Sequence, residues 1–432
     1  MSAVIAIAIA TLVGIPIAFA FDPDLRGVAV PALGFLYGAG VIYAVMLAMA
    51  SLGIQWTVWR VGIVVMIAGA AVAARSMRRK HLAVTLDRPG AATLIDVLTL
   101  CTLVTYILYA TVAPVWQWDF WMIWGLKGRV FFDAGTIDWR FLQSRWNDAC
   151  RPDYPLLLPL NYTWTAMLHG SWDDRWLGLF SVAFGASTAL IVRRLAAKEV
   201  APVPAAAIAF ATTAFALTAH IGMAEAPMIA YGGAGLLYLR RAVLFDEDVS
   251  LRHAVVLLGL GANCKNEGVG LVVCAAISLV LLGRHLLRRF ALSALLVAPW
   301  AGLRVLHGLH DVLFRGSFVS RLLERSVEIP AIAMLLLRDL QDRAMWACIL
   351  TGLLIVPAAY IRRERFVLLA TALQLAMFLV IYLGTPLDVQ VHIQTSWPRL
   401  PRQLAVPVLF IDLVMLVGFW RERRALRVES ST

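Results

Sequence analysis

Charge is scarce in this chain. Asp, Glu, Lys and Arg make up 15% of its 432 residues, against about 25% in an average soluble domain. No stretch is both long and polar enough for a sizeable soluble domain. The five cysteines (Cys101, Cys150, Cys264, Cys274 and Cys348) form no CxxC pair and no metal-type spacing, which excludes a zinc ribbon or a dithiol redox motif. Repeats and low-complexity tracts are absent as well. The first apolar run lacks a basic leader and a clear small-residue cleavage site, so it is expected to stay as a span and not to be removed as a signal peptide.

Apolar residues fill the space these absences leave. They reach 61%, with a mean hydropathy of +0.79, and this composition predicts an all-α polytopic membrane protein. The net charge of +11 would suit a nucleic-acid binder. The basic residues, however, sit in short clusters between apolar runs, where membrane topology puts them.

A span needs about 20 apolar residues. Candidate runs are 2–21, 28–50, 54–74, 93–116, 176–192, 203–220, 226–241, 253–264, 268–283, 289–305, 343–360, 366–383 and 403–420. Six basic clusters punctuate them in a consistent phase: Arg75 to Lys80, Arg193 to Lys198, Arg240 and Arg241, Arg284 to Arg289, Arg362 to Arg365, and Arg421 to Arg427. With all six on the cytoplasmic side, the remaining connections fall outside without conflict. The expectation is about thirteen spans, with the N-terminus outside and the C-terminus inside. The outer connections are then 117–175, 220–226, 264–268, 305–342 and 384–402. Within them, 120–132 and 305–342 read as amphipathic helices lying in the interface.

The outer connections hold the unusual chemistry. Trp116-Gln117-Trp118-Asp119-Phe120-Trp121 ends one run and opens the longest connection. Tryptophans at a span end mark the membrane surface, and Trp116, Trp118 and Trp121 are expected to exclude water around Asp119. Asp119 is either a base for an acceptor proton or a cap on the helix that follows. Arg151-Pro152-Asp153-Tyr154-Pro155 reads as a rigid turn, with Asp153 free to pair with Arg151. Glu225 precedes Pro227 at a helix start, where it either complements the dipole or takes part in chemistry. His220 beside it reads as an interfacial residue.

Lys265-Asn266-Glu267-Gly268 interrupts a region that would otherwise be apolar throughout. A charge at mid-membrane costs about 2.5–3.5 kcal/mol even on the mildest scale, so the segment predicts a hairpin with a sunken tip. Its Lys and Glu are either a structural pair or part of a site. The last outer connection carries His392, Thr395, Ser396, Arg399 and Arg402. Outer arginines run against the positive-inside bias, and their planar donor fork suits phosphate.

In order and common location, these motifs over residues 93–420 resemble the GT-C glycosyltransferases that use polyprenyl-phosphate-linked sugars. The resemblance implies a GT-C-like bundle, with an N-terminal three-span extension over 1–92 and a catalytic module over 93–432. It places the catalytic carboxylate on Asp119 and the second acidic site on Glu225. Lys265, Arg399, Arg402 and His392 are expected to bind the donor phosphate, and Lys127, Asp153, Tyr154 and Glu267 to position substrates. The chain departs from the family in two places. Phe120 follows Asp119 where members acting on protein serines or lipid A often have an adjacent Glu, and the Trp-Trp-Asp signature of oligosaccharyltransferases is missing. The implied partners are a polyprenyl-phosphate-sugar donor, a glycan, lipid or protein acceptor, and the membrane, with no nucleic acid. A divalent metal stays open as a cofactor. The implied location is a bacterial inner (plasma) membrane, with the site facing the periplasm or exterior. A lipid-linked-sugar flippase or secondary transporter is the alternative, and it predicts ionisable residues inside spans.

Overall fold

A computed structural model describes residues 2–77, 93–112, 114–217, 221–309, 311 and 316–429. Among them the fold is all-α. In chain order the helices are α1 (Ser2–Phe21), α2 (Ala29–Ser51), α3 (Val58–Met77), α4 (Leu94–Val112), α5 (Gly125–Ala134), α6 (Trp139–Gln143), α7 (Leu157–His169) and α8 (Asp174–Ala197). Next come α9 (Pro202–Leu217), α10 (Glu225–Met228), α11 (Ala234–Phe245), α12 (Asp248–Gly261), α13 (Asn266–Leu282), α14 (Arg284–Phe290) and α15 (Ala294–Leu306). The chain finishes with α16 (Phe318–Glu324), α17 (Ile329–Asp339), α18 (Arg343–Ile355), α19 (Ala358–Arg363), α20 (Arg365–Gly384), α21 (Val389–Ser396) and α22 (Arg402–Glu429).

All thirteen apolar runs fall on helix, but the expected span count is not reproduced. Among the described residues, eight helices are long and apolar enough to cross a membrane: α1, α2, α3, α4, α8, the joined Arg284–Leu306, α20 and α22. The runs on α9, α13 and α18 are apolar but shorter. The 226–241 run is divided among α10, a π-helical segment over Ile229–Gly233, and α11. The charged hairpin cuts the 253–283 region in two: α12 has 14 residues, about 21 Å at 1.5 Å per residue, below a core thickness of about 30 Å.

The bundle sorts its helices by side-chain size. Small residues let α1 and α2 approach closely, as glycine stripes do in membrane helix pairs. A Cβ on Gly38 would strike the backbone of Ala10, and one on Gly14 would strike Gly34. α2, α8 and α22 are mostly buried, whereas α3, α4 and the Arg284–Leu306 helix turn most of their apolar side chains outward, as lipid-facing helices do. The boundary expected near residue 92 lies outside the described residues, as do Arg78, Arg79, Lys80 and His220. α1 and α2 share one hydrophobic core with α7, α8 and α11. Tyr43 donates to Asn263 Oδ1 at 2.7 Å and Tyr231 to the Leu36 carbonyl at 2.6 Å, so polar bonds also tie the first helices to the later ones.

The interfacial segments are helical, with breaks. A π-helical turn over Phe120–Trp124 leads into α5. The 305–342 connection contains α16, a 3-10 turn and α17 instead of one continuous helix. It is tied to the last connection by Arg321 and Arg325, which donate to the carbonyls of Gly384 (2.8 Å) and Thr385 (2.7 Å). Trp397 donates to the Leu336 carbonyl at 2.8 Å.

Candidate functional site

One cavity of about 930 Å³ gathers residues from all five connections assigned to the outer side. Its polar end is lined by Asp119, Arg151, Lys265, Glu267, Arg304 and Arg399. Its apolar lining comes from α13 and α20, with Val269, Val273, Met377, Phe378 and Ile381, and from Phe318 of α16. Apolar walls with a few converging polar groups are the usual form of a ligand site.

The hairpin supplies the centre. Lys265 stands extended before α13, and Gly268 folds so closely over Gly261 that a Cβ there would overlap the Gly261 carbonyl. Only glycine fits that crossing. Lys265 Nζ lies 3.1 Å from Glu225 and 2.9 Å from Glu267. Arg399 then bridges Glu225, at 3.5 Å, and Asp119, to which it donates a hydrogen bond. The charges therefore alternate along one chain: Asp119, Arg399, Glu225, Lys265, Glu267. Burial opposes charge on Lys265, but Glu225 and Glu267 outweigh it and hold the ammonium above the ordinary lysine value. Burial likewise opposes charge on Arg399, and Glu225 and Asp119 outweigh it.

Asp119 occupies the N-cap position of the Phe120–Trp124 turn, yet its side chain makes no capping bond. Its carboxylate faces Arg399 and the cavity. The tryptophans do not enclose it as expected. Trp116, Trp118 and Trp121 are more than half exposed, and the buried one is Trp124.

Of the expected positioning residues, Tyr154 and Glu267 line the cavity, and Lys127 and Asp153 do not. Lys127 is buried and donates to the Arg151 carbonyl at 2.5 Å, with its ammonium 5.8 Å from the Trp124 ring and 6.0 Å from the Tyr154 ring. Burial lowers its pKa to about 8. Tyr154 lines the cavity and stacks on Trp124 at 5.5 Å. Asp153 does not pair with Arg151. It accepts a hydrogen bond from Asn266 at 2.6 Å, joining the rigid turn to the hairpin, and burial raises its pKa. His392 lines the cavity edge-on to Tyr382, at 5.0 Å. Burial and the nearby Arg151 and Lys265 lower its pKa to about 4, so it is neutral at pH 7.

Arg402 stands apart from these groups. It pairs with Asp342 at 2.6 Å and is not among the cavity-lining residues. Several cavity residues were not singled out from the sequence: Arg151, Asn266, Tyr382, and Arg304, which pairs with Asp311 at 3.3 Å. Among the described residues no group of three or more His, Cys, Asp or Glu side chains could hold a metal ion. The cavity's carboxylates are engaged by Lys and Arg instead, so they do not fit a divalent-metal site.

The fold and cavity define a class: an all-α helical bundle of membrane-associated character, with eight helices of spanning length among the described residues and a pocket lined by charged side chains. Comparison with protein-family models, with curated proteins and with solved structures gave no match.

Proposed function

We propose that this protein transfers a sugar from a polyprenyl-phosphate-linked donor to an acceptor hydroxyl, with inversion, at the cavity around Asp119. One observation carries the reading: a single cavity is lined both by cations and carboxylates and by apolar side chains of two neighbouring helices, α13 and α20. That combination suits a ligand with an anionic head and a long hydrocarbon tail. The tail would lie along α13 and α20, and the phosphate among Lys265, Arg399 and the neighbouring polar groups.

In this scheme Asp119 takes the proton of the acceptor hydroxyl, whose oxygen attacks the anomeric carbon. The bond from that carbon to the phosphate oxygen breaks, and its electron pair leaves on the phosphate. Lys265 and Arg399 stabilise that charge, so no general acid is needed. In the structure without donor, Arg399 is held by Asp119 and Glu225. A phosphate offers Arg399 another acceptor and so releases the Asp119 carboxylate toward the acceptor. Asp119→Asn tests this, because Asn keeps the shape but cannot take a proton. The expected protein is folded, binds donor and transfers no sugar. Near-normal transfer by that variant would move the base elsewhere, with Glu225 the next candidate.

A lipid-linked-sugar flippase or secondary transporter is favoured by one separate observation. Asp412 is buried within the spanning helix α22 against Gly352 of α18, and its Oδ1 has no hydrogen-bond partner among the described residues. A carboxylate at such a depth is a mark of transport. Asp412→Asn separates the readings: sugar transfer that survives the change supports the transferase, and loss of lipid translocation without any transfer activity supports the transporter.

A further inference from the structure

The arginines and lysine expected to meet the donor phosphate, and Arg304 of the cavity wall, already have carboxylate partners. Arg399 is held by Asp119 and Glu225, Lys265 by Glu225 and Glu267, Arg402 by Asp342 outside the cavity, and Arg304 by Asp311. A charge-assisted bond to an incoming anion is strongest from a cation that need not give up an existing partner. Arg151 lines the same cavity and differs from all of these. Among the described residues its guanidinium has no carboxylate partner, and its Nη1 is buried without an acceptor. An unsatisfied buried donor is costly, so its persistence calls for an explanation.

The backbone around Arg151 is built to hold it. Its φ is 52°, in the left-handed region, which costs a bulky residue about 1–2 kcal/mol. Two donors lock that conformation through the Arg151 carbonyl: Lys127 Nζ at 2.5 Å and the Tyr154 amide at 3.0 Å. Pro152 and Pro155 stiffen the turn beyond it. Strain held in place by surrounding structure is a recurring feature of ligand sites. The buried Lys127 thus acts as the peg that presents Arg151 to the cavity.

We propose that Arg151 is the primary anion-binding group of the cavity and receives a phosphate monoester or diester. This rests on the reading above that the ligand is a phospholipid-like donor, and it assigns the first capture of the phosphate to Arg151 in place of Arg402. Arg399 and Lys265 would join only as their own carboxylates are displaced.

The test measures binding to the full chain in lipid nanodiscs, followed by the fluorescence of the cavity tryptophan Trp118 or by native mass spectrometry. The probes are a long-chain polyprenyl phosphate, the uncharged polyprenol, and inorganic phosphate. Arg151→Asn is the informative variant, because Asn tolerates left-handed backbone and the fold should survive. Arg151→Lys keeps charge but loses the donor fork. The expected result is at least tenfold weaker binding of polyprenyl phosphate by Arg151→Asn, a smaller loss for Arg151→Lys, and unchanged binding of polyprenol by both. Equal polyprenyl phosphate affinity in wild type and Arg151→Asn would overturn the assignment and leave the transferase reading standing. Parallel loss of polyprenol binding would also overturn it, by showing that Arg151 only shapes the pocket. Arg151-dependent binding of inorganic phosphate, with none of the lipid, would keep the anion site and remove the lipid-donor reading.

Discussion

Among the described residues, one ionic network joins connections assigned to the outer side and another joins those assigned to the inner side, and they use the same residue types to opposite ends. Among the connections assigned to the inner side, Arg240 is buried and grips two carboxylates with both faces of its fork. Glu364 lies at 2.5 and 2.6 Å and Glu199 at 2.5 and 2.9 Å. Arg241 adds Glu247, and Arg363 approaches Glu199 at 3.9 Å. All three guanidinium nitrogens of Arg240 donate to a carboxylate, and none of these residues lines the cavity. At the cavity, Asp119, Arg399, Glu225, Lys265 and Glu267 form an open chain of single contacts at 2.9–3.5 Å, with a shorter Asp119–Arg399 bond. A closed bidentate cluster locks helices together. An open chain beside a cavity can exchange partners with a ligand.

Breaking the closed cluster should have the largest effect on stability. Arg240→Met leaves Glu199 and Glu364 buried without their main partner, and removal of one member of such a pair costs about 3–5 kcal/mol. Thermal unfolding in detergent should show a large loss, and donor binding per folded molecule should not change. Lys265→Met is the matching change at the cavity. It should lower stability less, by about 1–3 kcal/mol, because water can reach Glu267, and it should weaken polyprenyl phosphate binding by less than Arg151→Asn does. Equal stability losses for the two variants would erase the distinction between the networks.

The pH response sharpens the contrast. Arg240 keeps its proton throughout the accessible range, whereas Lys127, bonded to the Arg151 carbonyl, titrates at about 8. An unfolded lysine titrates near 10.4. Between these values the unfolded chain binds more protons, so the Lys127 contribution makes stability rise with pH from about 8 to about 10.4 and is flat below. The rise is at most about 3 kcal/mol by the linkage of pKa to free energy. Lys127→Met should abolish it, as read by chemical denaturation at pH 7.5 and 9.5. A smaller effect is expected at Arg402. Its pair with Asp342 is partly exposed, so Arg402→Gln should cost about 1 kcal/mol or less and should disturb phosphate-lipid binding less than Arg399→Gln does.

Much of this was legible in the sequence because membrane chemistry is written in coarse symbols. Apolar runs gave every major helix, and the phase of the basic clusters separated two sets of connections. Asp119, Tyr154, Lys265, Glu267, His392 and Arg399 of the outer set line one cavity, and Glu199, Arg240, Glu247 and Glu364 of the inner set meet at the other cluster. The span count was less legible, since hydropathy registers a run without registering whether a buried hairpin shortens it. Pairing was hidden as well. Nothing in the spacing tells that Arg399 reaches Asp119, 280 positions away, or that Arg402, three residues on, turns to Asp342. The signal for Arg151 was present: it too is an arginine in an outer connection, against the charge bias. The two prolines beside it drew the reading toward a purely structural turn.

The most direct test of the central claim is where a lipid phosphate lies in the bundle. A polyprenyl phosphate carrying a photoreactive group on its second or third isoprene unit is incubated with the protein in nanodiscs, irradiated, and mapped by peptide mass spectrometry. The account predicts label on the cavity-facing side chains of α13 and α20, chiefly Val273, Met377 and Ile381. It also predicts that inorganic phosphate does not displace the label and that excess unlabelled polyprenyl phosphate does. Label confined to the outward faces of α3, α4 and α15, with none on α13 or α20, would contradict it.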